Sequence, residues 1–230
     1  MKTFKITPRP TLITLLFLIF TGAFSSCSNN NDANSVPPAH IMVVNTVKGS
    51  AAQDFYLNNN KINSSPVAYG QYSAYAAAIA GTDNAQFFNS GTKTVNTSFS
   101  LILEPANYYT VYYTGKNTTS TTYTTVDNLS IPPANYASVQ FINFNTDVSS
   151  GVDFGVVGSS KIVTNLVSGT ASAFYGVAAN SSFAVYAAGS LTAKITIPAT
   201  LQSGMIYTIY ITGSSLSDIN YNIVVHNPQQ

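Results

Sequence analysis

Charged side chains are scarce in this chain of 230 residues. Lysine, arginine, aspartate and glutamate together make up 7% of it, with nine basic and eight acidic residues. Nucleic-acid binding depends on clustered lysine and arginine that neutralise phosphates, and no basic cluster occurs here. We therefore expect no nucleic-acid partner.

Cysteine occurs once, at Cys27, and tryptophan is absent. A single cysteine excludes an intramolecular disulfide. Glutamate also occurs once, at Glu104. Glycoside hydrolysis usually needs two carboxyl groups that flank the bond, and the eight acidic residues of this chain are scattered along the sequence.

Long apolar runs are missing too, since the longest, residues 12–20, has about nine residues against the roughly 20 needed to cross a bilayer. Lys2, Lys5 and Arg9 precede this run, and small residues follow it. That order is typical of a secretory signal peptide, which we place at residues 1–26. A transmembrane anchor is the weaker interpretation.

Cys27 directly follows the signal, and the stretch "AFSSC" resembles the lipobox of bacterial lipoproteins. In that family the cysteine becomes the N-terminus and carries acyl chains. Phe24 stands where leucine is usual, and Ser26 where glycine or alanine is usual. The resemblance implies a lipid attachment site at Cys27, a tether over residues 27–38 and a membrane as partner. An ordinary secretory signal that contains a cysteine is the alternative.

Two phrases, "NYYTVYYTG" and "MIYTIYITG", lie 98 residues apart, and other matched phrases keep a similar offset along the chain. A period near 100 residues is too long for a solenoid and suits a duplicated sandwich domain. Threonine and tyrosine favour strands, while asparagine and glycine favour turns. We predict an all-β fold: two tandem immunoglobulin-like antiparallel β-sandwich domains over residues 39–129 and 130–228.

Both phrases alternate with a period of two residues, which is typical of a strand with one face on a core and one in water. Tyr109, Val111 and Tyr113 share one predicted face in the first copy, and Tyr207, Ile209 and Ile211 share it in the second. The predicted water-facing sets are Thr110, Tyr112 and Thr114, and Thr208, Tyr210 and Thr212.

The phrases "DFYLN", "YGQYSAY" and "YYTVYYTG", with their second copies "DFGVV", "SGTASAF" and "IYTIYITG", resemble a module of secreted bacterial proteins, many from Bacteroidetes. This module is domain of unknown function number 4397, which often occurs in tandem. The resemblance covers residues 39–228 and implies a sandwich fold and an envelope location. It implies no activity.

No constellation of catalytic residues emerges from the remaining polar residues. Glu104 sits in a turn, and Asp54 and Asp153 are interpreted as carboxylates that bond backbone, with a calcium ligand as the weaker alternative. His40 and His226 lack metal-ligand spacing and are interpreted as ordinary residues at strand ends. No nucleophile elbow or phosphate-binding glycine loop occurs. We expect no enzyme activity, no metal and no cofactor.

Tyr112 and Tyr210 are the candidate binding residues, because amphipathic rings on a sheet face can contact a glycan or a protein. The function we expect is that of a noncatalytic lipoprotein of the cell envelope, in the outer membrane, that acts as an adhesion or ligand-binding module for a glycan or another envelope protein. The alternatives are a structural spacer or scaffold subunit of a surface complex, and a carbohydrate-active enzyme.

Overall fold

The computed structural model describes residues 36–116, 119–146 and 151–227, and these residues contain 17 strands. The signal peptide, Cys27 and most of the tether lie outside the described residues. The first half of the chain forms β1 (Ala39–Asn45), β2 (Gln53–Leu57), β3 (Asn60–Lys61), β4 (Ala76–Ala78), β5 (Gly81–Asn89), β6 (Val95–Leu103), β7 (Tyr108–Lys116) and β8 (Thr119–Val126).

The second half repeats this series after a connection without regular structure. Its strands are β9 (Tyr136–Asn145), β10 (Val152–Val156), β11 (Lys161–Leu166), β12 (Thr170–Ala171), β13 (Tyr175–Ala178), β14 (Phe183–Ala187), β15 (Ala193–Ile197), β16 (Ile206–Gly213) and β17 (Asn220–His226). Among the residues described, no helix is long and apolar enough to span a membrane.

The strands form four sheets, two in each half. Sheet A has the order β4-β1-β7-β8 and sheet B the order β3-β2-β5-β6. In the second half, sheet C has the order β12-β9-β16-β17, with β13 also paired to β9, and sheet D has the order β11-β10-β14-β15. The two halves therefore share one topology, as a duplication requires.

Each half encloses a core between its two sheets, because alternate side chains of facing strands are apolar. Phe55 packs on Phe87 with ring centroids 4.8 Å apart in the first half. Phe141 stacks on Phe154 at 4.5 Å in the second half. All four rings are completely buried.

In each half, a tyrosine hydroxyl bonds to the backbone of the turn that precedes its strand. The hydroxyl of Tyr109 accepts a hydrogen bond from the backbone N–H of Glu104 at 2.8 Å. In the second half, the hydroxyl of Tyr207 accepts one from the N–H of Gln202 at 2.9 Å. Immunoglobulin-like sandwiches use a comparable tyrosine, whose hydroxyl bonds to backbone a few residues upstream.

The all-β prediction is confirmed, with one difference in strand direction. Strand β1 pairs with β7 in parallel, and β9 pairs with β16 in parallel, whereas the other pairs are antiparallel. Each half is therefore not purely antiparallel. The immunoglobulin-like topology and the domain boundaries at residues 129 and 130 stay predictions.

The described chain from Val36 onward forms one compact unit, because sheets A and C pack against each other. Their contacting faces bury Met42, Val44 and Tyr112 from sheet A against Ile142, Phe144 and Tyr210 from sheet C. We call this contact the inter-half interface. It adds a third core to the two sandwich cores.

Candidate functional site

The predicted water-facing sides of β7 and β16 are the surfaces that form the inter-half interface. Tyr112 and Tyr210 are completely buried, as are Thr110 and Thr208. The prediction that these faces meet water is therefore wrong. Alternation with a period of two residues separates the two faces of a strand. It does not show whether solvent or another sheet covers the second face.

Aromatic rings fill the centre of this interface. The rings of Tyr112 and Tyr210 meet nearly perpendicular, with centroids 6.2 Å apart, and Phe144 lies 5.3 Å from Tyr112. Burial raises the pKa of both tyrosine hydroxyls above the ordinary value. With 0% of either side chain exposed, neither ring can contact a soluble ligand while the halves are packed.

A buried polar network lies at one end of the interface. Asp127, at the end of the first half, accepts hydrogen bonds from Tyr75 Oη at 2.8 Å, Thr110 Oγ1 at 2.6 Å and Thr125 Oγ1 at 2.9 Å. Three donors on one carboxylate fit the ionised form, which only accepts. Burial nevertheless raises the pKa of Asp127, while His226 and the hydroxyl donors oppose the rise.

His226, from the second half, completes this network across the interface. Its Nδ1 lies 2.7 Å from the Tyr75 hydroxyl, and its Nε2 lies 2.8 Å from Thr208 Oγ1. Since Tyr75 donates to Asp127, Nδ1 must carry a proton. Thr208 Oγ1 donates to Gln140 Oε1 at 3.4 Å, so its contact with Nε2 does not fix the role of that nitrogen. Burial lowers the pKa of His226, and the nearby Asp127 charge opposes that change. His226 lies at the end of β17, as interpreted from the sequence, but its burial and its contacts across the interface were not anticipated.

A cleft opens at the opposite end of the interface, where β1, β7, β9 and β16 all end. It has two adjoining lobes of about 220 Å³ each. Thr114, Gly115, Phe144 and Thr146 line both lobes. Thr46, Lys48, Thr212 and Asp218 are among the residues that line the first lobe, and Tyr123 and Ser168 are among those that line the second. We call this feature the interface cleft.

Thr114 and Thr212 occupy equivalent positions in the repeat and lie on opposite walls of the first lobe. They are 6% and 8% exposed. Neither hydroxyl is among the described side-chain atoms that are wholly buried without a partner, which include Tyr112 Oη and Tyr210 Oη. Both threonines line the cleft, where a bound ligand would replace water as the hydrogen-bond partner of their hydroxyls.

The loop after β16 is shaped by a glycine. Gly213 has a φ of +143°, and a Cβ at this position would overlap with the backbone carbonyl of Asp218. Asn145 Nδ2 donates to the Ser215 carbonyl at 2.8 Å and ties the same loop to β9. This wall of the cleft is therefore held by close backbone contacts.

The two duplicated aspartates form ion pairs away from the cleft. Asp153 accepts from Lys161 Nζ at 2.7 Å and from the Asn165 N–H at 2.7 Å, and Asp54 pairs with Lys61 at 2.7 Å. Although burial favours the neutral acid, these donors hold the pKa of Asp153 below its ordinary value. The backbone-bonding interpretation is confirmed for Asp153, and the lysine partners were not anticipated.

The other candidate residues lie outside the cleft as well. Glu104 is exposed at the turn before β7, and His40 stacks on Tyr108 with ring centroids 4.5 Å apart. Within the described ranges, no three histidine, cysteine or acidic side chains gather as metal ligands. The structure does not bring the histidines and Glu104 into one site.

Sequence reasoning missed Thr114, Thr212 and the role of His226. The available signal was the repeat itself, because "TG" ends both copies of the duplicated phrase. In both halves, a threonine followed by a glycine stands near the end of the equivalent strand, β7 or β16, so the two threonines occupy corresponding positions in the fold.

The family described as domain of unknown function (DUF4397) matches residues 39–150, so a domain of this family lies there. No curated protein matches the chain. Among solved structures, the chain is similar to CBMbc, a family 26 carbohydrate-binding module of Amy13K from Eubacterium rectale in complex with maltoheptaose. The identity is 11%, the alignment covers 83% of this chain and 98% of that chain, and the TM-score is 0.27. At this TM-score, the likeness supports no conclusion about this chain.

Proposed function

We propose that the protein is a noncatalytic ligand-binding module of the cell envelope and that its ligand enters the interface cleft. The observation that supports this most directly is the pair of Thr114 and Thr212, equivalent residues that line one cleft from the two halves. Small-molecule sites are concave and combine apolar walls with a few precisely placed polar groups. The interface cleft has both, with Phe144 and Val47 among its apolar lining residues.

The noncatalytic part of the proposal is supported by the residues that line the cleft. Among the described lining residues of the two lobes, Asp218 is the single carboxylate, and these residues include no histidine or cysteine. Acid–base hydrolysis of a glycosidic bond normally needs two carboxyl groups. The exposed Glu104 does not line either lobe.

The envelope location is supported by the N-terminal residues. The signal-like segment and Cys27 precede a mature chain with six lysines and eight acidic residues, a net charge of −2. We propose that acyl chains on Cys27 hold the protein at the outer membrane, since lipid anchoring grows with each buried methylene. Two immunoglobulin-like sandwiches would then stand on a short tether.

The anchor is tested by fractionating cells that carry Cys27→Ser. We expect the wild-type protein in the membrane fraction and the variant in the soluble fraction. Protease treatment of intact cells then distinguishes a surface-exposed protein from a periplasmic one. Equal membrane retention of wild type and variant would contradict the lipid anchor.

The cleft is tested by blocking it with Thr146→Trp, because Thr146 is exposed and lines both lobes. The readout is retention of the full mature protein on five immobilised probes: a neutral polysaccharide, a sulfated polysaccharide, peptidoglycan, collagen and anionic lipid vesicles. We expect the variant to lose retention on at least one probe. Thr82→Trp, on the exposed outer side of sheet B, is the control that keeps it. If blocking the cleft changes nothing, the proposed function is wrong.

A rigid spacer within a surface complex is the second candidate. It is favoured by the inter-half interface, whose buried aromatic rings join the halves into one unit. Affinity purification from crosslinked cells would then recover one stoichiometric protein partner in equal yield with wild type and Thr146→Trp.

A further inference from the structure

We infer that the ligand of the interface cleft is a neutral sugar, bound as one or two residues of a glycan. This inference rests on the proposed function and names the ligand class of the same site. Four kinds of observation support it: the hydrogen-bonding character of the walls, the apolar floor, the charge at the rim and the position of the cleft within the sheets.

Hydroxyl groups are the commonest polar side chains among the described residues that line the walls of the cleft. Threonine or serine residues come from both halves at the lobes: Thr46, Thr114, Thr121, Thr122, Thr146, Ser168, Thr212 and Ser214. A hydroxyl is one donor and two acceptors, so it can pair with a sugar hydroxyl in either direction when its own proton is free. Four of these hydroxyls already donate within the protein and can only accept from a ligand: Thr46, Thr146, Ser168 and Ser214. Phosphate or carboxylate ligands would instead need donors alone.

The floor of the cleft is aromatic. Phe144 lines both lobes, and Tyr123 lines the second lobe with its ring 5.6 Å from Phe144. The Tyr123 hydroxyl already accepts from the Ala171 N–H at 3.1 Å, which fixes the ring across the interface. A sugar ring has an apolar C–H surface and a rim of hydroxyls, and both parts find a complementary surface here.

The charge at the cleft is balanced. Lys48 and Asp218 are exposed residues at the first lobe, and among the lining residues that the structure describes they are the two charged ones. An anionic ligand would approach Asp218 and a cationic ligand would approach Lys48. Neither sign of charge is therefore favoured, whereas a neutral ligand meets no penalty.

The position of the first lobe argues against an extended peptide. Peptides commonly bind by adding a strand to a free sheet edge. The first lobe lies at the ends of β1, β7, β9 and β16, which are interior strands of sheets A and C. The second lobe differs, because Thr121, Thr122 and Tyr123 belong to β8, the edge strand of sheet A.

The test compares three variants of the full mature protein on an array that holds neutral glycans, sialylated and sulfated glycans, and peptides. Thr114→Val with Thr212→Val removes both hydroxyls while nearly keeping the shape, and Thr114→Ser with Thr212→Ser keeps both hydroxyls. Thr196→Val, an exposed threonine of β15, is the matched control. Unchanged urea unfolding midpoints confirm that all three variants fold.

We expect wild type to bind neutral glycans selectively, and the double valine variant to bind them at least about tenfold more weakly, since each lost hydrogen bond weakens binding several-fold. The double serine variant and Thr196→Val should stay within about threefold of wild type on the same affinity scale. Calorimetric titration with the best neutral glycan gives the ratios.

Three outcomes would overturn the inference. Selective binding of charged glycans or of peptides that Thr146→Trp abolishes would leave the proposed function standing and exclude the neutral sugar. Neutral-glycan binding that the double valine variant retains would place the sugar elsewhere. Failure of every probe to respond to Thr146→Trp would instead contradict the proposed function itself.

Discussion

Tyr112 and Tyr210 occupy the same position in the two copies of the repeat, 98 residues apart, and their rings contact each other at the centre of the molecule. Equivalent residues that meet in this way are expected at an approximate twofold axis, as in a symmetric dimer. The chain therefore resembles a dimer whose two subunits have been joined by the segment between β8 and β9.

Replacing Tyr112 or Tyr210 by alanine should lower the free energy of unfolding by about 3–5 kcal/mol each, as large-to-small changes do in a packed core. The double variant should cost less than the two single losses together, because the two rings share one cavity. Urea unfolding of the three variants measures these values.

Tyr136→Ala provides the control for the tyrosine variants. Tyr136 is 47% exposed at the start of β9, so its loss should change stability by no more than about 0.5 kcal/mol. Equal effects of Tyr112→Ala and Tyr136→Ala would show that the inter-half interface does not form in solution.

Stability should fall as the pH drops below the ordinary histidine value. Because burial lowers the pKa of His226 in the folded state, the neutral imidazole is favoured by folding. Its contribution is complete above pH 6.5, the unfolded value, and is lost as the pH falls towards the folded pKa. Between pH 7.5 and 5.5 the loss is at most about 1.4 kcal/mol.

His226→Gln should remove this pH dependence, and His40→Gln should keep it, with unfolding midpoints in urea compared at pH 7.5 and 5.5. Asp127 acts in the opposite sense, because its pKa is raised by burial. Its contribution is complete below pH 3.8 and is lost as the pH rises through the folded pKa. A fall in stability between pH 7.5 and 5.5 that survives in His226→Gln would assign the effect to a group other than His226 and Asp127.

Gly213→Ala should be strongly destabilising. The position has a φ of +143° and leaves no space for a Cβ next to the Asp218 carbonyl. The strained backbone alone costs about 1–3 kcal/mol, and the overlap adds to it. Gly176→Ala is the matched control, since a Cβ there meets nothing within 4 Å. Similar melting temperatures for both variants would contradict the described loop.

Asp153→Asn should cost about 1–3 kcal/mol, since it leaves buried donors unpaired. Asp54→Asn, at the equivalent position, should cost less than about 1 kcal/mol, because the Lys61 side chain of its ion pair is 35% exposed against 22% for Lys161. Thermal unfolding of both variants checks the difference. A larger loss in Asp54→Asn would reverse the assignment of the stronger pair.

Much of the fold could be predicted from the sequence. The 98-residue offset and the alternation in β7 and β16 led to two copies of an all-β unit, and the core sides of both strands were assigned correctly through Tyr109, Val111 and their mates. The neighbours of the second face could not be predicted in this way. Threonine and tyrosine suit both a sheet face exposed to solvent and an interface that mixes polar and apolar side chains. Residue type therefore left both possibilities open.

The candidate site was missed for the same reason. Thr114 and Thr212 form one site only when sheets A and C are packed together, and Asp127 meets His226 across the same contact. Each member of these pairs is unremarkable in its own strand. No local pattern links residues that are about 100 positions apart.

The amino-acid sequence by itself determined the duplication, the strand-rich composition and the inward faces of each sandwich, because these follow from local periodicity and side-chain size. Only the tertiary structure decided that the outward Thr–Tyr–Thr faces bury one another and leave a hydroxyl-lined cleft at one end. That outcome depends on shape complementarity between two distant surfaces, which is a property of the packed sheets and not of either strand.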